Sequence, residues 1–228
     1  MKKMKNWERR WRSVSYEIER LLPENIEKRS FEILSAELAQ RGIVLPKEEE
    51  MITKRVIHTS ADFDYAQTLT YSEGAVRRAK ELLLAGADIV TDTNMALAGI
   101  NKKTLAAFGG EVHCFMADEE VAREAKERKT TRATVSMEKA MKLQGPLIFA
   151  IGNAPTALLR LYEMIQEGGR KPDFVIGVPV GFVHVEIAKE LIMETGVPYI
   201  VNRGRKGGSN VAAAICNALL YEVRKERS

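Results

Sequence analysis

Acid–base chemistry on this chain has one clear candidate centre, the stretch Arg55-Val56-Ile57-His58-Thr59-Ser60-Ala61-Asp62-Phe63-Asp64-Tyr65. It holds one of the three histidines in the sequence, then hydroxyl residues at 59 and 60, carboxylates at 62 and 64, and a Phe/Tyr pair. An imidazole exchanges its proton near neutral pH, and neighbouring hydroxyls and carboxylates can fix its tautomer or favour its charged form. Two readings stay open on composition alone: a proton-transfer site, or a histidine closing a helix end. A metal site built from His58, Asp62 and Asp64 would lack the helical spacing of an HExxH motif, and none is expected.

A second set of candidates follows the apolar runs. In Thr91-Asp92-Thr93-Asn94-Met95, the short polar side chains of Thr93 and Asn94 can hydrogen-bond a ligand's amide or carboxylate edge, or cap a helix. In Thr130-Thr131-Arg132, Arg132 opens a helix where acids are preferred, and its guanidinium can fork onto a carboxylate. Gly152-Asn153-Ala154-Pro155 places proline in a first helical turn and is expected to leave amides pointing outward, with Asn153 among them, which attracts anions. Gly181 stands at a similar strand end. The basic, glycine-rich run Arg203-Gly204-Arg205-Lys206-Gly207-Gly208-Ser209 precedes another helix and reads as an anion cradle, with Arg203, Arg205, Gly207, Gly208 and Ser209 as its contacts. Neither a GxxxxGK[ST] loop nor a GxGxxG fingerprint is present, so nucleotide binding has little support. Several anion sites in one row suit a ligand that carries many carboxylates.

The elements that must position these residues are legible from periodicity. From Ser72 onward, apolar runs at 89–90, 112–116, 147–151, 174–178 and 199–201 alternate with helical stretches at 72–85, 102–108, 118–143 (broken near Thr130), 154–166, 183–195 and 210–224. That alternation predicts an α/β fold: a mostly parallel sheet with helices on both faces, binding its ligand beyond the carboxyl ends of the strands. Ahead of it, helices are expected at 24–40 and 46–57, the latter acidic at its start and basic near its end, which would leave His58 at the helix's C-terminus, where the dipole favours a proton donor. Trp7, Trp11, Val14, Ile18 and Leu21 recur at helical steps and read as the packing face of an N-terminal appendage over 1–22, with the α/β domain at 23–228. His113 reads as a satisfied core residue and His184 as part of a helix face.

Composition narrows the class. The chain has 228 residues, 45% hydrophobic and 29% charged, which suits one soluble domain with ample core. No run approaches the ~18 apolar residues of a membrane span. The basic start leads into Trp7-Glu8-Arg9-Arg10 and not into an apolar signal segment. Two distant cysteines, Cys114 and Cys216, read as free thiols, and a cytoplasmic location is expected. The net charge of +4 is spread among acids, which does not indicate nucleic acid.

The run His58-Thr59-Ser60-Ala61-Asp62-Phe63-Asp64-Tyr65 resembles the signature of the precorrin-8X methylmutases, the methyl-shifting enzymes of corrin biosynthesis. Blocks at 90–95, 152–157, 177–183 and 203–209 agree in order, and the similarity runs from about Pro23 to about Tyr221. The resemblance implies an isomerase moving a methyl group from C-11 to C-12 of precorrin-8X or its cobalt form, without a cofactor, with His58 as catalytic donor to a ring nitrogen. It further implies substrate contacts from Thr59, Thr93, Asn94, Arg132 and Ser30, whose Ser-Phe context is similar to the family's, and a homodimer with sites near the subunit boundary. Glu186-Ile187-Ala188-Lys189 keeps the lysine of a Glu-Ser-Lys family segment but shifts the acid, so Glu186 receives no role. Two other classes remain as alternatives: a corrinoid carrier without chemistry, and a nucleotide-binding α/β enzyme.

Overall fold

The structure, a computed structural model, describes Glu19 and residues 21–227. The expected appendage helix and its tryptophans therefore lie almost wholly outside the described residues. Among the described residues two helices come first, α1 (Pro23–Gln40) and α2 (Glu50–Ser60), followed by a single turn, α3 (Tyr65–Thr68), and the short strand β1 (Leu69–Tyr71). The alternation then runs α4 (Ala75–Leu84), β2 (Asp88–Thr91), α5 (Asn94–Gly99), α6 (Lys102–Ala106), β3 (Val112–His113), α7 (Glu119–Glu127), α8 (Arg132–Ala140) and β4 (Leu147–Ile151). It closes with α9 (Pro155–Gln166), β5 (Phe174–Gly177), α10 (Val185–Met193), β6 (Tyr199–Asn202) and α11 (Ser209–Glu226).

One six-stranded sheet has the order β1-β6-β5-β4-β2-β3. All neighbours pair parallel except β1, which runs antiparallel to β6 with Leu69 opposite Asn202. The expected mostly parallel sheet is thus present, with an antiparallel edge strand that sequence periodicity did not reveal. Side chains of the central strands alternate between two cores. Ile89, Ile148, Ala150, Phe174, Ile176 and Ile200 face α1, α2, α4 and α11, and Val90, Phe149, Ile151, Val175 and Val201 face α8, α9 and α10. The helices lie on both faces because a parallel strand pair needs a crossover, and the right-handed sense of that crossover assigns each helix its side. No helix among the described residues is long and apolar enough to cross a membrane.

Four local expectations change. The helix before the signature continues through His58 to Ser60 and stops at Ala61 in the left-handed conformation (φ 53°), so the histidine is inside the last turn and not beyond it. The helix expected from Ser72 begins only at Ala75, with Gly74 in the cap position, and the Ser72 hydroxyl instead accepts from the Tyr199 amide at 2.9 Å, tying β1 to β6. His113 is satisfied but not core: it stands half-buried on the edge strand, its Nε2 3.0 Å from Asp88 Oδ2. His184 is the residue preceding α10, itself in the left-handed region at φ 57°.

Candidate active site

The chain leaves β2 toward β3 on one side and returns to β4 on the other, so the order in which strands are added reverses between the parallel neighbours β2 and β4. Such a switch point opens a crevice at the carboxyl ends of the strands, where α/β proteins bind ligands. Here the crevice is bridged by Asp92, which is fully buried. Its Oδ1 accepts from the Gly152 amide at 2.9 Å, and its Oδ2 accepts from Asn153 at 2.8 Å and Ala154 at 2.5 Å. Burial pushes this carboxyl up, against the three amides, which pull it down. The expectation of outward-pointing amides ahead of Pro155 is thereby corrected: the protein spends them on its own carboxylate. Asn153 keeps an exposed side chain at the rim.

The glycine-rich loop lies across this crevice. A side chain at Gly152 would come within 2.7 Å of Ser209 Cα, and one at Gly207 within 2.1 Å of the Val178 carbonyl oxygen. These two glycines exist because backbone packs directly on backbone. Gly208, at φ 146°, donates to the Val178 carbonyl at 2.9 Å, and Gly181 donates to the Arg205 carbonyl at 3.2 Å. Thr93 caps α5 by accepting from the Ala96 amide, and its hydroxyl also meets Ser209 Oγ at 2.7 Å, while Asn94 is exposed beside it.

Beneath the loop is a buried cation. Lys189 has no exposed surface, and its Nζ donates to the carbonyls of Gly204 at 2.7 Å and Lys206 at 2.9 Å. Burial pushes its ammonium down to about 8, with Glu186 opposing. Asn202, also buried, accepts from the Thr68 hydroxyl at 2.7 Å and donates to the carbonyls of Arg203 and Lys206 at 3.1 and 2.9 Å. The loop's three cations are each paired with an acid of the protein. Arg203 lies 3.7 Å from Glu190, Arg205 lies 3.3 Å from Glu186, and Lys206 holds Asp62 and Asp64 both at 2.6 Å. Lys206 holds the Asp62 carboxyl below the usual carboxylate range.

That last pair of contacts joins the two sequence candidates. Because β1 starts opposite the last residue of β6, the segment before β1 lies at the carboxyl edge, and Lys206 fastens it there through the two carboxylates of the signature. His58 and Thr59, both exposed, end α2 just before this segment. The His58 ring stacks on Phe31 of α1, with centroids 5.2 Å apart and planes at 24°. Ser30, next to Phe31, is half-buried and donates its hydroxyl to the Ile26 carbonyl at 3.0 Å. Arg132 opens α8, exposed and without an ion pair or hydrogen bond from its side chain among the described residues. Its neighbour Thr131 meets the Thr156 hydroxyl of α9 at 3.1 Å, which brings Arg132 to the rim that carries Asn153. No cluster of three or more metal-ligating side chains occurs among the described residues.

Comparison with known proteins gives a consistent picture. A family model described as precorrin-8X methylmutase matches residues 25–222. A cobalt-precorrin-8 methylmutase of Priestia megaterium is 43% identical over 197 residues, covering 86% of this chain and 87% of that one. A cobalt-precorrin-8 methylmutase of Salmonella typhimurium is 43% identical over 209 residues, covering 89% and 97%. The crystal structure of a precorrin-8x methyl mutase from Thermus thermophilus superposes with a TM-score of 0.79 at 38% identity, covering 89% of this chain and 98% of that one.

Two outcomes test this account of the site. Asp92→Asn keeps the shape but turns an amide toward amide donors, so it should lower stability by roughly 2 kcal/mol in denaturant unfolding. For Lys189, the folded value near 8 lies below the ordinary 10.5, so the unfolded chain binds more protons between those limits and stability rises with pH across them. The stability of wild type minus that of Lys189→Met, read from unfolding at a series of pH values, should therefore shift in favour of the wild type from about pH 8 to 10.5.

Proposed function

Because the chain belongs to the precorrin-8X methylmutase family and is an isomerase of cobalamin biosynthesis, we propose that it moves a methyl group from C-11 to C-12 of precorrin-8X or cobalt-precorrin-8, giving hydrogenobyrinic or cobyrinic acid, with His58 as the donor to a ring nitrogen. The C-11–methyl bond breaks and the C-12–methyl bond forms within one conjugated system, so mass and oxidation level are unchanged. A proton or strong hydrogen bond on a ring nitrogen withdraws electron density and eases the suprafacial shift. One positioned acid contributes about 10²–10⁴-fold.

The observation that carries this reading is the double ion pair of Lys206 with Asp62 and Asp64, which ties the helix end bearing His58 to the loop bearing Arg203 and Arg205. A proton donor and a row of carboxylate-binding cations then serve one polyanionic macrocycle. Arg132, unpaired among the described residues, suits one substrate carboxylate, and Arg203 and Arg205 suit others by exchanging their exposed partners Glu190 and Glu186. Thr59, Thr93, Asn94, Asn153, Gly181, Gly207, Gly208, Ser209 and Ser30 complete the proposed lining. The exposed apolar side chains of Phe182 (82%), Val183 (73%) and Met95 (70%) stand near this edge and fit either a macrocycle face or the second subunit of a homodimer.

His58→Ala should retain substrate affinity and lose most turnover, about 10²-fold or more. Absorbance and the NMR position of a labelled methyl group would follow the reaction with both substrate forms. A wild-type rate in that variant removes His58 from the mechanism, and binding without methyl migration by the wild type would turn the reading to a carrier. Arg132→Ala should weaken substrate binding about tenfold with turnover at saturation little changed, as loss of one charge-assisted contact predicts.

A further inference from the structure

We infer that Phe31 is a positioning residue for the reaction, holding the His58 imidazole in its working orientation, and that Arg55 and Glu27 hold Phe31 in turn. The inference rests on the proposed role of His58. Glu27 and Phe31 are four residues apart on α1, and Arg55 and His58 are three apart on α2, so each pair shares one helix face. The two faces meet rung by rung. Arg55 ion-pairs with Glu27 and places its guanidinium carbon 4.8 Å from the Phe31 ring centroid, while His58 stacks on the same ring at 5.2 Å and 24°. Tyr221 of α11 approaches the same guanidinium at 6.0 Å, so Arg55 is held between two rings and a carboxylate. Its Nε is buried without a hydrogen-bond partner among the described residues. That leaves Glu27 and the two rings as the contacts that set its place.

The physical need is plain from exposure. His58 is a solvent-facing side chain near a helix end, and an exposed imidazole exchanges rotamers freely. A donor aimed at one ring nitrogen must stay in one orientation, because a misplacement of about 1 Å can cost on the order of 10²-fold in rate. A near-parallel aromatic neighbour restricts the imidazole plane without spending either of its nitrogens, which a hydrogen-bonded orienting group would do. Both nitrogens thus remain for substrate and proton exchange. Glu27 adds a second effect, since its carboxylate neutralises Arg55 beside the histidine, and Arg55 in turn holds that carboxyl below the usual carboxylate range.

The test compares Phe31→Leu and Phe31→Tyr with wild type and with His58→Ala. It measures turnover, substrate dissociation constant and the proton resonances of the His58 ring, identified by their loss in His58→Ala. Phe31→Leu is expected to lower turnover about tenfold, leave the dissociation constant within about twofold, and move the His58 signals downfield as the ring current disappears. Phe31→Tyr keeps a ring and should keep all three. Phe31 is only half-buried, and the buried residues of α1 are Leu34 and Leu38, so the variants should fold. If Phe31→Leu melts below the assay temperature, Phe31→Met, apolar but ringless, makes the same test. Wild-type turnover with Phe31→Leu overturns the inference, as does a loss of affinity in step with turnover while the His58 signals stay put. Wild-type turnover in His58→Ala overturns the parent reading instead, whatever Phe31→Leu does.

Discussion

Asp92 is a carboxylate with no access to solvent, and the carboxyl edge of the sheet is arranged around it. Burying a charge is costly unless donors replace the lost water. The reversal of strand order supplies them: it parts the connections after β2 and β4 and leaves the amides of 152–154 facing the end of β2. Carboxylate and amides satisfy each other, and the crevice that many α/β proteins leave open for a ligand is closed from within. Gly152 then lets the backbone of 208–209 lie against the bridge, and the Thr93–Ser209 contact secures it. The position of the glycine-rich loop is a consequence of that bridge.

The loop in turn is held by groups that never reach the rim. Lys189 and Asn202 bind its carbonyls from below, and neither would be free to touch a ligand. This division matters for a polyanionic ligand. The rim pairs Arg203–Glu190 and Arg205–Glu186 are between 43% and 59% exposed, and ion pairs so placed contribute only about 0–1 kcal/mol. On the proposed function, a substrate carboxylate would take over either arginine at little cost, while the backbone that carries both arginines stays in place. Shape is fixed by the buried lysine, and charge is offered by the exposed arginines.

Much of this architecture was legible in the sequence because parallel strands buried on both faces read as unbroken apolar runs, such as Leu147 to Ile151, which became β4. β1 was not legible, for Leu69-Thr70-Tyr71 is three residues long and draws its stability from pairing with β6, which lies far away in the chain, with Leu69 opposite Asn202 and Tyr71 opposite Ile200. Asp92 was hidden for a related reason. In Thr91-Asp92-Thr93-Asn94 it looked like one more polar loop residue, and its partners lie on a different strand. Lys189 did leave a signal: Val185, Ala188, Lys189 and Ile192 form the buried stripe of α10, and a lysine at a core-facing position needs acceptors. The signature itself was visible, but not that its two aspartates serve Lys206.

The candidate site therefore has two halves of different origin. One is the sheet edge, whose loops descend from the Asp92 bridge. The other is the pair α1 and α2, which presents His58 on the ring of Phe31. They are joined through Lys206 to Asp62 and Asp64, through the Arg203 amide to the Thr68 carbonyl at 2.9 Å, and through the Thr68 hydroxyl to Asn202. All three joints fall within the ten residues that follow His58, so the distance from imidazole to cradle is set locally, close to the proposed donor. A methyl shift that neither gains nor loses atoms asks little of reactive side chains and much of geometry. With His58 as the proposed donor, a helix end fastened this close to a well-anchored loop would meet that demand without burying the histidine.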